Sequence, residues 1–165
     1  MGGAEDLARS TQVAFDFGAG TIESWRGVPI GTVSLGRRPG HAFASDTGYF
    51  DRDGKPFMFT RSGFATWTPT IVLDAQRALV GEITLERCTV GGVEVARTRR
   101  VSEQGYLTQT IIGETLATCH LLPSPSGWRT KHVWRLRIEP GVVGGPLRQL
   151  VMAIPRLCLE SYYAD

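Results

Sequence analysis

The sequence lacks most of what would mark a membrane-spanning, secreted or nucleic-acid-binding chain. No apolar run reaches about 18 residues, so no helical membrane span is expected. Residues 1–11 carry Glu5 and Asp6 and no apolar stretch, so they are expected to be a loose end rather than a secretory signal. There are three cysteines, Cys88, Cys119 and Cys158. An odd number without metal-ligand spacing argues against a disulfide framework and a structural zinc site. Without a signal segment, the reducing cytoplasm is the compartment expected. Eighteen basic side chains against sixteen acidic ones leave a net charge of +2, far from the basic excess of a dedicated nucleic-acid binder.

Catalytic signatures are missing as well. The chain has no Gly-x-Ser-x-Gly elbow, no Gly-x-Gly-x-x-Gly fingerprint and no phosphate-binding Walker loop. Gly18-Ala19-Gly20 leads into a strand-like segment and so lacks the helix N-terminus that would cradle a phosphate. Asp51-Arg52-Asp53-Gly54 hints at a calcium loop. With Gly54 at the sixth position, however, the first is Tyr49 and the twelfth Thr60, neither an acid, so a tight hairpin turn is expected there. His41, His120 and His132 match no zinc spacing. No metal or cofactor is expected. Cys119 and His120 are adjacent, but in a strand they point to opposite faces and make a poor catalytic dyad. All three cysteines are expected to be buried hydrophobes.

What is present is punctuation. Twenty glycines and nine prolines, in a chain that is 42% apolar and 21% charged, favour many short strands over a helical bundle. Strand-like segments are expected at 13–17, 21–25, 28–35, 42–50, 57–60, 68–73, 78–86, 93–97, 107–122 and 128–139. In 78–86, Leu79, Gly81, Ile83 and Leu85 share one face; Glu82, Thr84 and Glu86 share the other. In 128–139, His132, Trp134, Leu136 and Ile138 share a face, leaving Arg135 and Arg137 for water.

The period then changes. After Gly144-Gly145-Pro146, residues Leu147, Leu150, Val151, Ile154, Leu157 and Cys158 recur at helical spacing. Met152, Ala153 and Leu159 widen the stripe, and only Arg148, Gln149, Arg156 and Glu160 interrupt it. A helix over about 146–163, apolar nearly all round, is expected to be buried. Pro155 should kink it, at about 3 kcal/mol. The reading is therefore an all-β domain over 12–165. About 9–12 antiparallel strands form a closed barrel around one buried C-terminal helix.

This order resembles the tubby C-terminal-like superfamily, which includes the LURP-one-related proteins and the phospholipid scramblases. Three stretches carry the resemblance. Tyr49-Phe50-Asp51-Arg52-Asp53-Gly54-Lys55-Pro56-Phe57 is similar to that group's strand, Asp-x-x-Gly, strand units. Ile71-Val72-Leu73-Asp74-Ala75-Gln76-Arg77-Ala78-Leu79-Val80-Gly81-Glu82-Ile83 is a second such unit, with Arg77 where glycine is expected. Trp134-Arg135-Leu136-Arg137-Ile138-Glu139-Pro140-Gly141, followed by 147–159, is similar to the family's last strand and threading helix, here with Pro155 inside it. The resemblance implies a closed barrel around a central helix, and in some members binding of anionic lipid headgroups.

The candidate binding residues are Arg37 and Arg38 in a loop, the cluster Arg97, Arg99 and Arg100, and Arg129, Lys131 and Arg135 along the last strand, where Arg137 would join them. Converged, they would hold an anionic membrane surface at about 1 kcal/mol per basic residue. Otherwise they form a solvated face balanced by Glu94, Glu103 and Glu139. Trp25, Trp67, Trp128 and Trp134 are expected to pack the core rather than line a pocket. The leading function is a non-enzymatic binding or scaffold module engaging an anionic lipid surface or a protein partner. The alternative is a hollow small-molecule barrel, lipocalin-like or a cyclase-like enzyme, with His120, His132 or Glu114 as acid or base. A subunit that binds its own copies is a third reading.

Overall fold

Twelve short strands run up and down in sequence. They are β1 Gln12–Asp16, β2 Thr21–Ser24, β3 Pro29–Arg37, β4 Ser45–Asp51, β5 Pro56–Ser62 and β6 Thr70–Asp74. They continue with β7 Leu79–Ile83, β8 Arg87–Val90, β9 Val93–Ser102, β10 Gly105–Thr110, β11 Thr115–Leu121 and β12 Val133–Ile138. A short 3-10 helix, Pro140–Val142, leads to α1, Gly145–Ala164. The computed structural model describes residues 6–37, 45–62, 68–102, 105–121, 133–142 and 144–164. Every strand pairs antiparallel with its sequence neighbour, and β1 pairs with β12, so the sheet closes into a barrel with no free edge. Of these strands, β8 was not expected from the sequence.

The meander places the connections after β2, β4, β6, β8 and β10 at one rim of the barrel. The start of α1 and residues 6–11 meet there too; we call it the proximal rim. From it α1 runs inward, about 30 Å long at 1.5 Å per residue. Residues 150–159 are all buried, a stretch of almost three turns with no solvent-facing side. That is possible only if the wall surrounds the helix. Inward side chains of the wall, including Phe15, Ile22, Tyr49, Met58, Ile83, Trp134 and Leu136, complete the core. On β7, Gly81 lets the helix approach: a Cβ there would collide with the Thr89 carbonyl oxygen and lie 3.1 Å from Leu150.

Several expectations change at this level. Leu79 does not join the inward face of β7. A register shift between Val72 and Leu73 leaves Val80 extra, and Leu79 turns out to solvent. The strand stops at Ile83, where the Thr84 hydroxyl accepts hydrogen bonds from the Glu86 and Arg87 amides and turns the chain into β8. Arg148 and Arg156, expected to interrupt the apolar stripe, are buried. Arg148 Nε donates to the Leu7 carbonyl at 3.0 Å, and Nη2 donates to the carbonyls of Leu7 and of Ser10, the latter at 2.9 Å. Residues 6–10 are thereby tied over the proximal rim, with Leu7 buried, instead of hanging loose. Arg156 Nε reaches the Thr47 hydroxyl at 3.3 Å inside the barrel. Burial leaves Arg148 with a pKa lowered to about 10, an effect the nearby Asp6 partly opposes.

Candidate functional site

The three cysteines point inward and are buried, as expected. Burial pushes the Cys88 thiol up to about 12 despite a hydrogen bond with Thr98, and raises Cys158, which also contacts Cys119. The Cys88 and Cys158 thiols are thereby kept protonated and unreactive. His120 lies on the outer wall, exposed, over Gly105, where a Cβ would come within 2.7 Å of Nδ1. Glu114 is exposed in the β10–β11 turn. Neither faces the interior that a hollow barrel would need. Trp134 is fully buried, whereas Trp25 is half-buried outside, its indole N–H donating to the Val13 carbonyl at 3.3 Å. His41, His132, Trp67 and Trp128 lie outside the described residues.

The outer wall carries the charge. Strands β1 to β7 hold six carboxylates (Asp16, Glu23, Asp46, Asp51, Asp74, Glu82) and two arginines, Arg37 and Arg61. Strands β8 to β12 hold six arginines (Arg87, Arg97, Arg99, Arg100, Arg135, Arg137) and one carboxylate, Glu94. The wall is thus an acidic arc joined to a basic one.

Register orders the basic arc. The inward set Ala96, Thr98 alternates with outward Arg97 and Arg99 on β9; the inward set Trp134, Leu136, Ile138 alternates with outward Arg135 and Arg137 on β12. Across the strands, Arg99 lies opposite Leu107, Leu107 opposite Thr118, and Thr118 opposite Arg137. Three strand gaps put the two arginines about 14 Å apart on one row. A parallel row sets His120 opposite Arg135. On a third row Arg97 lies directly opposite Arg87, a like-charge cross-strand pair. Glu94 relieves it, bonding Arg97 at 2.6 Å. That bond holds the Glu94 carboxyl below its ordinary range and raises Arg97. Arg135 stacks 5.2 Å from the Trp25 ring. Arg87, Arg99 and Arg137 make no ion pair among the described residues.

Of the residues named from the sequence for a basic face, Arg97, Arg99, Arg135 and Arg137 share this outer side. Arg100 does not. It shares the inward parity of Ala96 and Thr98, opposite inward-facing Tyr106, and emerges at the distal rim, where Nε donates to the Ser102 carbonyl at 3.1 Å. Arg37 closes β3, on the acidic arc, well away from β9 to β12. Arg38, Arg129 and Lys131 lie outside the described residues, as does Glu103. Sequence reasoning left Arg87 out of the site, because the four-residue β8 carries no clear period.

A shallow groove of about 270 Å³ lies where the two arcs meet at β7 to β9, lined by Pro69, Glu82, Thr84, Arg87, Thr89, Gly92 and Glu94. No helix among the described residues is long and apolar enough to cross a membrane.

No family model and no curated protein matches the chain. Among solved structures it is similar to an X-ray structure of a protein from Arabidopsis thaliana. The TM-score is 0.62 at 14% identity, over 99% of each chain. At that identity the likeness shows a shared fold.

Proposed function

We propose that the chain is a non-enzymatic binding or scaffold module of the tubby-like kind, with the outer face of β8 to β12 as the surface that engages anionic headgroups. One observation carries this reading: five outward arginines, Arg87, Arg97, Arg99, Arg135 and Arg137, against one carboxylate on five consecutive strands of a chain whose overall charge is only +2. An exposed arc of one sign creates a local field that the net charge hides. The directly opposed Arg87 and Arg97 add to the argument, because such a pair costs folding energy that a bound anion offsets. The interior supports the same conclusion. With α1 filling the barrel, the small-molecule alternative loses its cavity, and His120 and Glu114 stand outside it.

Co-sedimentation with phosphatidylcholine vesicles containing 30% phosphatidylserine tests the proposal. Binding is expected, falling steeply between low and physiological salt, and absent with phosphatidylcholine alone. Arg99→Ala with Arg137→Ala should weaken it by about tenfold or more, at about 1 kcal/mol per basic residue. Absence of binding at low salt overturns the lipid reading and leaves a protein partner as the ligand of the arc.

A further inference from the structure

The β10–β11 hairpin has a tip that its fold does not require. Its turn is built like those of β4–β5 and β6–β7. In each, the first residue's carbonyl accepts from the fourth residue's amide at 3.0 Å, and its side-chain oxygen accepts from the fifth at 2.9–3.0 Å. In two of the turns the second and third positions hold Arg52-Asp53 and Ala75-Gln76; in this one they hold Ile111-Ile112. Branched apolar side chains gain nothing from a turn. Ile111 is 62% and Ile112 79% exposed. Val93, 65% exposed, lies at the neighbouring β8–β9 hairpin. The register that sets Ala96 opposite Thr110 carries Val93 toward the level of the Ile111-Ile112 tip.

The basic arc begins directly behind this tip. Gln109 lies opposite Arg97, and Arg97 opposite Arg87. Ile111 and Ile112 are two and three residues beyond Gln109, about 7–10 Å along the strand direction. An interfacial segment buries its apolar groups about 5–10 Å into the boundary between headgroups and acyl chains. Arginines at phosphate level therefore put both isoleucines at acyl depth. The carboxylates beside the tip are Glu94, which Arg97 holds, Glu114, which follows the tip, and Glu139, whose amide donates to the Leu116 carbonyl of β11; Asp51, Asp53 and Asp74 share the rim on the acidic arc.

We propose that Ile111 and Ile112, flanked by Val93, insert into an anionic bilayer while Arg87, Arg97 and Arg99 hold the phosphates. The proposal rests on the lipid-binding reading above and names the part that enters the membrane. The charge behind the tip commits it to an anionic bilayer, since a second copy docked symmetrically tip to tip would bring arginines against arginines.

The test uses the full chain and the same 30% phosphatidylserine vesicles. Ile111→Ser with Ile112→Ser removes two exposed side chains, so folding is unaffected. Binding should fall about tenfold or more, given the transfer cost of exposed apolar side chains. Salt sensitivity of the remainder should persist. A second readout attaches a polarity-sensitive fluorophore to Ile112→Cys, the native thiols being buried. Its emission should shift to the blue with anionic vesicles only. Wild-type binding that the double substitution leaves unchanged, with no blue shift, overturns the insertion and spares the arginine reading. No wild-type binding overturns both. A wild-type dimer that the double substitution converts to monomer shows that the tip covers a second copy, and also overturns insertion.

Discussion

The two arcs of the barrel wall have the same inner chemistry and opposite outer chemistry. In β1 to β7 four of the six carboxylates are tied into the fold. Asp16 accepts from the Ala19 amide, Asp51 and Asp74 each accept two amides of their own turns, and Asp46 pairs with Arg61 at 3.3 Å. In β8 to β12 the arginines have few such duties: Arg97 has Glu94, Arg135 has Trp25, and Arg87, Arg99 and Arg137 face water. The carboxylates of one arc hold turns, while the arginines of the other are available to a ligand. Charges of opposite sign thus belong to different links of the chain from sequence to function.

The largest effect strikes what the arcs share. Ile154→Asp puts an unpaired carboxylate in the middle of α1, where the native side chain is 1% exposed. The cost, above about 4–5 kcal/mol, exceeds the margin of many single domains, so the variant should not fold. Loss of the β-sheet circular dichroism signal checks it. A variant with a near-native melting temperature would mean that α1 does not fill the barrel.

A second test uses the same interior through pH. Cys88 keeps its proton to about 12 when folded, while the unfolded thiol, at its ordinary value of 9.0, loses it earlier. Below 9 both states are neutral and nothing changes. Above 9 the folded chain holds more protons than the unfolded one, so stability falls as pH rises, by about 1.4 kcal/mol per unit until the folded group titrates. Urea unfolding at pH 8, 9.5 and 10.5 should show a steeper loss for the native chain than for Cys88→Ala. Equal slopes would place the thiol in contact with water.

The comparison between arcs is sharpened by a matched pair of substitutions. Asp51→Ala removes the acceptor of the Asp53 and Lys55 amides and should cost about 1–2 kcal/mol. Arg99→Ala should change stability by less than about 0.5 kcal/mol. Chemical denaturation of both variants, read beside vesicle binding, separates the roles. Stability loss in Arg99→Ala as large as in Asp51→Ala would make the basic arc structural too.

The architecture was legible where burial imposes a period. Leu147, Leu150, Val151 and Ile154 announce α1 within one residue at each end of its span, and Trp134, Leu136 and Ile138 announce the inner face of β12. A bulge was not legible: the extra Val80 reverses Leu79, because one added residue flips the side chains beyond it. Arg100 was legible by contrast, since it keeps the inward parity of Ala96 and Thr98. The basic arc was half-visible for a related reason. Arg97, Arg99 and Arg135 stand in evident strands, but that β9 and β12 lie on one continuous wall follows from strand order, which no local pattern encodes. Arg148 looked like a break in an apolar stripe, since nothing near it in sequence shows that the carbonyls of Leu7 and Ser10 wait for it.

The smallest effect concerns Arg77, in the acidic arc, which stands where its sister turn has Gly54. Gly54 sits at φ 80° and Arg77 at φ 65°, so the arginine takes a left-handed conformation that costs an ordinary residue about 1–2 kcal/mol. Its guanidinium lies 3.9 Å above the Phe59 ring, a contact worth about 0.5–1 kcal/mol at an exposed site. Phe59 in turn meets Phe50 edge-on, 6.1 Å between ring centroids, on the outer face of β4 and β5. Arg77→Gly relieves the backbone, loses the stacking and frees the unfolded chain. These terms nearly cancel, so the change in unfolding free energy should be under about 1 kcal/mol. A loss near 2 kcal/mol in urea titrations would show that stacking on Phe59 holds the turn closed. That would place one arginine of the acidic arc among its structural charges, alongside Asp51 and Asp74, and strengthen the contrast with Arg87, Arg99 and Arg137.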